Sequence, residues 1–166
     1  MTINFHLLTF SFTNNMSWFL DFEGFHIPEQ GFIIKEIAIL NKENKDLCYN
    51  YFIRGPKSLN FSNSDRTIQF QCQRHQLRYD FGDYEFNEAM MDIARKLKCD
   101  TVYIKGNEKY KFISNMFLSP KFVDLENVPA FKYLNNCVHE RCSVKHGNYC
   151  ARRKVYELHH FMINQV

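Results

Sequence analysis

The chain has 166 residues, 45% of them apolar and 23% charged, with a formal net charge of +3. That apolar share excludes a disordered chain, and the scarcity of Gly and Pro excludes a fibrous or low-complexity one. So small a positive charge is compatible with a nucleic-acid partner but does not indicate one.

The length suits a single domain with one core, and 17 Phe and 9 Tyr make that core aromatic. The opening stretch MTINFHLLTFSF lacks a basic n-region and a small-residue cleavage site, and its apolar run is too short to span a bilayer. The expectation is an intracellular protein, cytoplasmic or nuclear, with no membrane partner. Residues 1–15 are read as a leader or edge arm, and residues 16–166 as the domain.

The first clear element is WFLDFE, residues 18–23. Residues two apart in a strand share a face, so Asp21 and Glu23 project side by side from an apolar strand. Like charges so placed repel unless cations or hydrogen bonds compensate. Gly24 reads as a turn. Residues 32–40, FIIKEIAIL, form the strongest strand signal in the chain, and 47–54, LCYNYFIR, a third strand after the polar turn NKENKD. Short turns between three strands predict an antiparallel meander.

Ser64 or Asp65 is placed to cap a short helix reaching Gln73. Residues 86–97 carry Phe86, Met90, Ile93, Ala94 and Leu97 at helical spacing. A short strand over 101–104, a helix over 107–117, a strand over 121–125 and a turn of helix over 130–134 follow. The last helix is expected from about 148 to 163. The pattern predicts an α/β fold with a mixed sheet, a three-strand antiparallel meander plus two further strands, and flanking helices.

Between 137 and 150 lies CVHERCSVKHGNYC, which interleaves Cys137, Cys142 and Cys150 with His139 and His146. Thiolate and imidazole together suit tetrahedral Zn²⁺, and interleaving favours metal over disulfides. Cys142, His146 and Cys150 form one candidate ligand set, with Cys137 and His139 as rivals for the same ion. The other cysteines, Cys48, Cys72 and Cys99, do not cluster. His75, His159 and His160 are isolated and read as structural.

FLDFEGF resembles the first motif of DEDD-type 3′–5′ exonucleases of the ribonuclease H-like fold, a hydrophobic strand carrying Asp-x-Glu. In that family an Asn followed four residues later by Asp opens a helix; here Asn107 fits, but Lys111 stands at the acid's position. A His followed five residues later by Asp opens the last helix; here His146 is followed by Cys150 and Ala151. Two of four acids are absent, so efficient two-metal catalysis is not expected. The altered third motif is similar to that of the Maelstrom domain, a zinc-binding relative in small-RNA silencing. That resemblance covers residues 17–163 loosely and implies a structural Zn²⁺ held by Glu23, Cys142, His146 and Cys150. It implies a catalytically inactive module associated with RNA, single-stranded DNA or protein partners, in RNA silencing or in a viral or transposon setting. Lys105, Lys109, Lys111, Arg152, Arg153 and Lys154 would border the old cleft and contact phosphates. The alternatives are an active Mg²⁺- or Mn²⁺-dependent nuclease using Asp21 and Glu23, and a purely structural scaffold.

Overall fold

A computed structural model describes residues 16–28, 30–59, 65–98, 100–127 and 150–164. The 1–15 leader, the turn over 130–134, and the candidate ligands Cys137, His139, Cys142 and His146 lie outside the described residues, as does the side chain of His75. The elements are β1 (Ser17–Ile27), β2 (Gly31–Asn41), β3 (Cys48–Phe52), α1 (Arg66–His75), α2 (Phe86–Leu97), β4 (Thr101–Ile104), α3 (Asn107–Ser114), β5 (Lys121–Asp124) and α4 (Ala151–Ile163). They build a five-stranded sheet in the order β3-β2-β1-β4-β5. The meander β1-β2-β3 is antiparallel, while β1, β4 and β5 run parallel. The expected α/β class, with a mixed sheet and flanking helices, is the one that forms.

β1 lies at the centre because both its faces are apolar. Trp18, Leu20 and Phe22 join a core with Ala89, Ile93 and Leu97 of α2 and Ile113 of α3. Phe19, on the opposite face, gathers with Ala151, Val155 and Leu158 of α4. The α2 residues recur every fourth position and those of α4 at i, i+4 and i+7, which keeps each set on one helix face. Asp100, just before β4, accepts from the Trp18 Nε1 (3.0 Å) and from the Met16 backbone N–H (3.1 Å), so it anchors the start of β1.

Gly24 is a correction to the predicted turn. β1 runs through it to Ile27. The pairing with β2 shifts here: Glu23 faces Glu36, Gly24 faces Ile34, and Lys35 is the extra residue of a bulge. A Cβ on Gly24 would lie 1.9 Å from the Ile33 carbonyl oxygen, so glycine is required by close backbone approach rather than by chain reversal. Two helices also start or stop short of their predicted bounds. α3 ends at Ser114, and α4 begins at Ala151, with Cys150 as its N-cap.

The bulge aims Lys35 into the protein. Only 1% exposed, its ammonium donates to the carbonyls of Ile53, Tyr79 (2.7 Å) and Phe81 (2.6 Å). Burial pulls its pKa down to about 7, against the attraction of Asp80. The three N–H donors of an ammonium match the three carbonyls one for one.

His159 is buried on α4, with Nε2 3.0 Å from the Lys42 carbonyl and its ring edge-on to Phe19. Burial lowers its pKa below the ordinary 6.5. The unfolded chain therefore takes up a proton that the folded chain resists, and stability falls as pH drops through about 6.5 towards the folded value. Urea titrations between pH 7.5 and 5 are expected to show this loss, and His159→Gln to reduce it.

Candidate functional site

The strand period sends Asp21 and Glu23 to the face shared with Phe19, beneath the start of α4. β4 pairs with β1 only over Ser17–Phe19, so the carboxylates lie just past the end of that ladder. Two lysines from distant helices converge on them. Lys109, in the first turn of α3, donates from Nζ to Asp21 Oδ1 (2.7 Å), to the Phe22 carbonyl (2.6 Å) and to Glu23 Oε1 (3.2 Å). Lys154, in the first turn of α4, donates to Glu23 Oε1 and lies 3.8 Å from Asp21 Oδ2. Two anions and two cations thus form one neutral cluster. The Asp21 side chain is 4% exposed and that of Glu23 13%.

The two carboxyls titrate in opposite directions. Burial raises the pKa of Asp21, and the charges of Lys109 and Lys154 only partly offset this. Burial also pushes Glu23 upward, but there the same two lysines prevail and hold it below the usual carboxylate range.

The remaining residues of the expected basic set are distributed differently. Arg153 donates from Nε to Glu157 Oε1 at 2.9 Å. Lys105 is half-buried, and burial lowers its pKa despite nearby Glu126, Glu157 and Asp124. Arg152 is half-buried and interacts with Cys48 and Tyr156, while Lys111 is exposed. Asn107, the retained part of the second motif, starts α3. Its backbone N–H donates to Glu126 Oε2 (3.0 Å), and that of Gly106 to Asp124 Oδ1 (3.0 Å). Carboxylates at the end of β5 and in the turn just after it therefore satisfy donors of this helix start.

Of the candidate zinc ligands, Glu23 and Cys150 are described. Cys150 is buried, and its Sγ accepts from the Arg153 backbone N–H at 3.4 Å. The carboxylate beside it is that of Glu36: Oε1 lies 3.9 Å from the Cys150 Sγ, and Oε2 accepts from the Ala151 backbone N–H at 3.0 Å. Glu36 is wholly buried and stands directly across from Glu23 in the β1–β2 ladder. Sequence reasoning missed it. The available signal was two consecutive charges, Lys35 and Glu36, inside a strand otherwise apolar from Phe32 to Leu40. Neighbouring strand residues face opposite sides, so both sides of a buried sheet had to accommodate a charge. Among the described residues, no group of three or more His, Cys, Asp and Glu side chains is arranged to hold a metal ion.

No family model, curated protein or solved structure matches the chain. Among the described residues, no helix is long and apolar enough to cross a membrane.

Proposed function

We propose that this chain is a catalytically silent relative of ribonuclease H-like nucleases, acting as a nucleic-acid-associated module. The strand order, with an Asp-x-Glu strand at the centre of a mixed sheet, supports the fold reading. One observation carries the loss of catalysis. Lys109 and Lys154 hold their ammonium groups against Asp21 and Glu23, where a nuclease needs carboxylates free to bind divalent cations. Positive charge fixed there repels Mg²⁺ and neutralises the acids without supplying a Lewis acid or an activated water. Labelled single-stranded RNA and DNA incubated with Mg²⁺ or Mn²⁺ are expected to stay intact. Cutting that Glu23→Ala abolishes would sink the reading and establish an active nuclease.

The structural zinc belongs to the same proposal. Cys142, His146 and Cys150 supply three donors, and the resemblance supplies Glu23 as the fourth. Glu23 is engaged by two ammonium groups, whereas Glu36 already lies against Cys150. This favours Glu36 as the carboxylate of the site. Metal analysis of the purified chain is expected to give about one Zn per molecule. Glu36→Gln and Cys150→Ser should lower that content, and Glu23→Gln should not. Full retention of zinc in Cys150→Ser would remove the metal from the proposal.

A further inference from the structure

α1 has no part in the acid–lysine cluster, and its outer face carries an exposed aromatic ring beside basic and amide side chains. Its sequence, RTIQFQCQRH, contains Arg66 and Arg74, four residues with amide or thiol side chains, and no acid. The helix is firmly seated. Asp65 caps it through the backbone N–H groups of Thr67 and Ile68, and Ile68 is buried with Phe25, Ile27 and Tyr79. The Gln71 side-chain amide docks on the end of β1, accepting from the His26 N–H (2.7 Å) and donating to the His26 carbonyl (2.8 Å). Yet Phe70, on this anchored helix, is 72% exposed. Leaving a Phe ring in water forgoes most of the stabilisation its burial would give.

Beside it, Gln69, Cys72, Gln73 and Arg78 line an open groove of about 550 Å³. Gln69 and Gln73 carry amides with both donor and acceptor atoms, and Arg78 carries a guanidinium fork, bonded to Asp80 at 3.1 Å. An exposed flat ring, flanking arginines and amide groups in an adjoining groove match the chemistry of an unpaired nucleotide strand. On such a face a ring can stack a base, arginines can contact phosphates and amides can meet base edges. The two acids nearest in sequence are already engaged, Asp65 by the helix N-terminus and Asp80 by Arg78.

We infer that the outer face of α1, centred on Phe70 with Arg66, Gln69, Gln73 and Arg74, binds single-stranded nucleic acid by stacking and phosphate contact. This deepens the reading of the chain as a nucleic-acid-associated module and rests on it. The face is separate from the acid–lysine cluster, so binding does not require those carboxylates.

Fluorescence anisotropy with labelled 12-nucleotide oligo(U) and oligo(dT), from 50 to 200 mM KCl, tests the inference. The full chain is expected to bind both. Phe70→Ala should weaken binding by about 5- to 100-fold, and Phe70→Trp should preserve it. Arg66→Gln with Arg74→Gln should reduce the steepness of the salt dependence by about one to two in log–log slope. Because Phe70 is exposed, an unchanged melting temperature separates lost binding from lost folding. Equal binding by wild type and Phe70→Ala overturns the α1 face but keeps nucleic-acid association elsewhere on the chain. Failure of the wild type to bind at 50 mM KCl overturns both, while the cutting assay still tests catalytic silence by itself. A concentration-dependent dimer that Phe70→Ala abolishes, without oligonucleotide binding, would assign the face to a second copy and also overturn the inference.

Discussion

Lys109→Met combined with Lys154→Met is expected to cost about 5 kcal/mol of folding stability in metal-free buffer, and Mn²⁺ is expected to restore part of it. Removing one partner of a buried ion pair costs about 3–5 kcal/mol, because the other charge is left desolvated and uncompensated. The two losses share the same carboxylates, so they do not add in full. Even so, about 5 kcal/mol is comparable to the whole stability of a domain at the low end of the usual range. Without the lysines, Asp21 and Glu23 must either take up protons or recruit a cation, and a divalent ion would occupy the space the ammonium groups left. The readout is the change in melting temperature on adding Mn²⁺. The double variant should gain several degrees and the wild type none. If the double variant does not fold, Lys109→Met can be compared with Lys109→Met/Asp21→Asn. The charge-balanced pair should be the more stable of the two, and the opposite order would show that the lysines only fill space.

Lys35→Met is the second large effect, at about 2–4 kcal/mol. The substitution removes a desolvated ammonium, which by itself is favourable. It also leaves the Ile53 and Phe81 carbonyls without the Lys35 donor, whereas Tyr79 O keeps the Gly55 N–H at 2.9 Å. The buried Ile53 acceptor stripped of its partner costs about 1–3 kcal/mol and the part-buried Phe81 carbonyl adds less, so the loss outweighs the relief. The damage should be local as well. The Lys35 side chain joins the bulge of β2 to the end of β3 and to the segment through Tyr79 and Phe81. Hydrogen exchange should therefore speed up first at the amides of Arg54 and Gly55, which donate to Tyr84 O and Tyr79 O. Uniform loss of protection across the sheet would contradict this account.

Elements set by local pattern were legible from the sequence. The bounds of α2 and β4 match those expected, because helical spacing of apolar residues and a short β-branched run depend only on nearby residues. The shared face of Asp21 and Glu23 was legible for the same reason. Their pairing with lysines was not, since the family resemblance put Lys109 and Lys154 at the cleft border only as phosphate contacts. Lys109 and Lys154 stand 86 and 131 residues downstream of Glu23, and a lysine in the first turn of a helix looks like a solvated one until the fold closes over it. Gly24 was misread because glycine marks turns in most contexts, whereas here it admits the Ile33 carbonyl beside a bulge. Glu36 was overlooked because its strand neighbours are so strongly apolar that the run reads as one uninterrupted core segment.

The distance between the acids and their lysines also sets an order of events in synthesis. The three meander strands leave the ribosome before α3 and α4, with the carboxylates of Asp21, Glu23 and Glu36 on one face and neither Lys109 nor Lys154 yet made. At about 5–20 residues per second, roughly 7–26 s separate the synthesis of Glu23 from that of Lys154, 131 residues later. During that interval the charges keep this face of the unfinished sheet hydrated and disfavour its pairing with other nascent chains. The same groups that would oppose burial in the finished domain thus protect its precursor, until α3 and α4 arrive and allow the face to close.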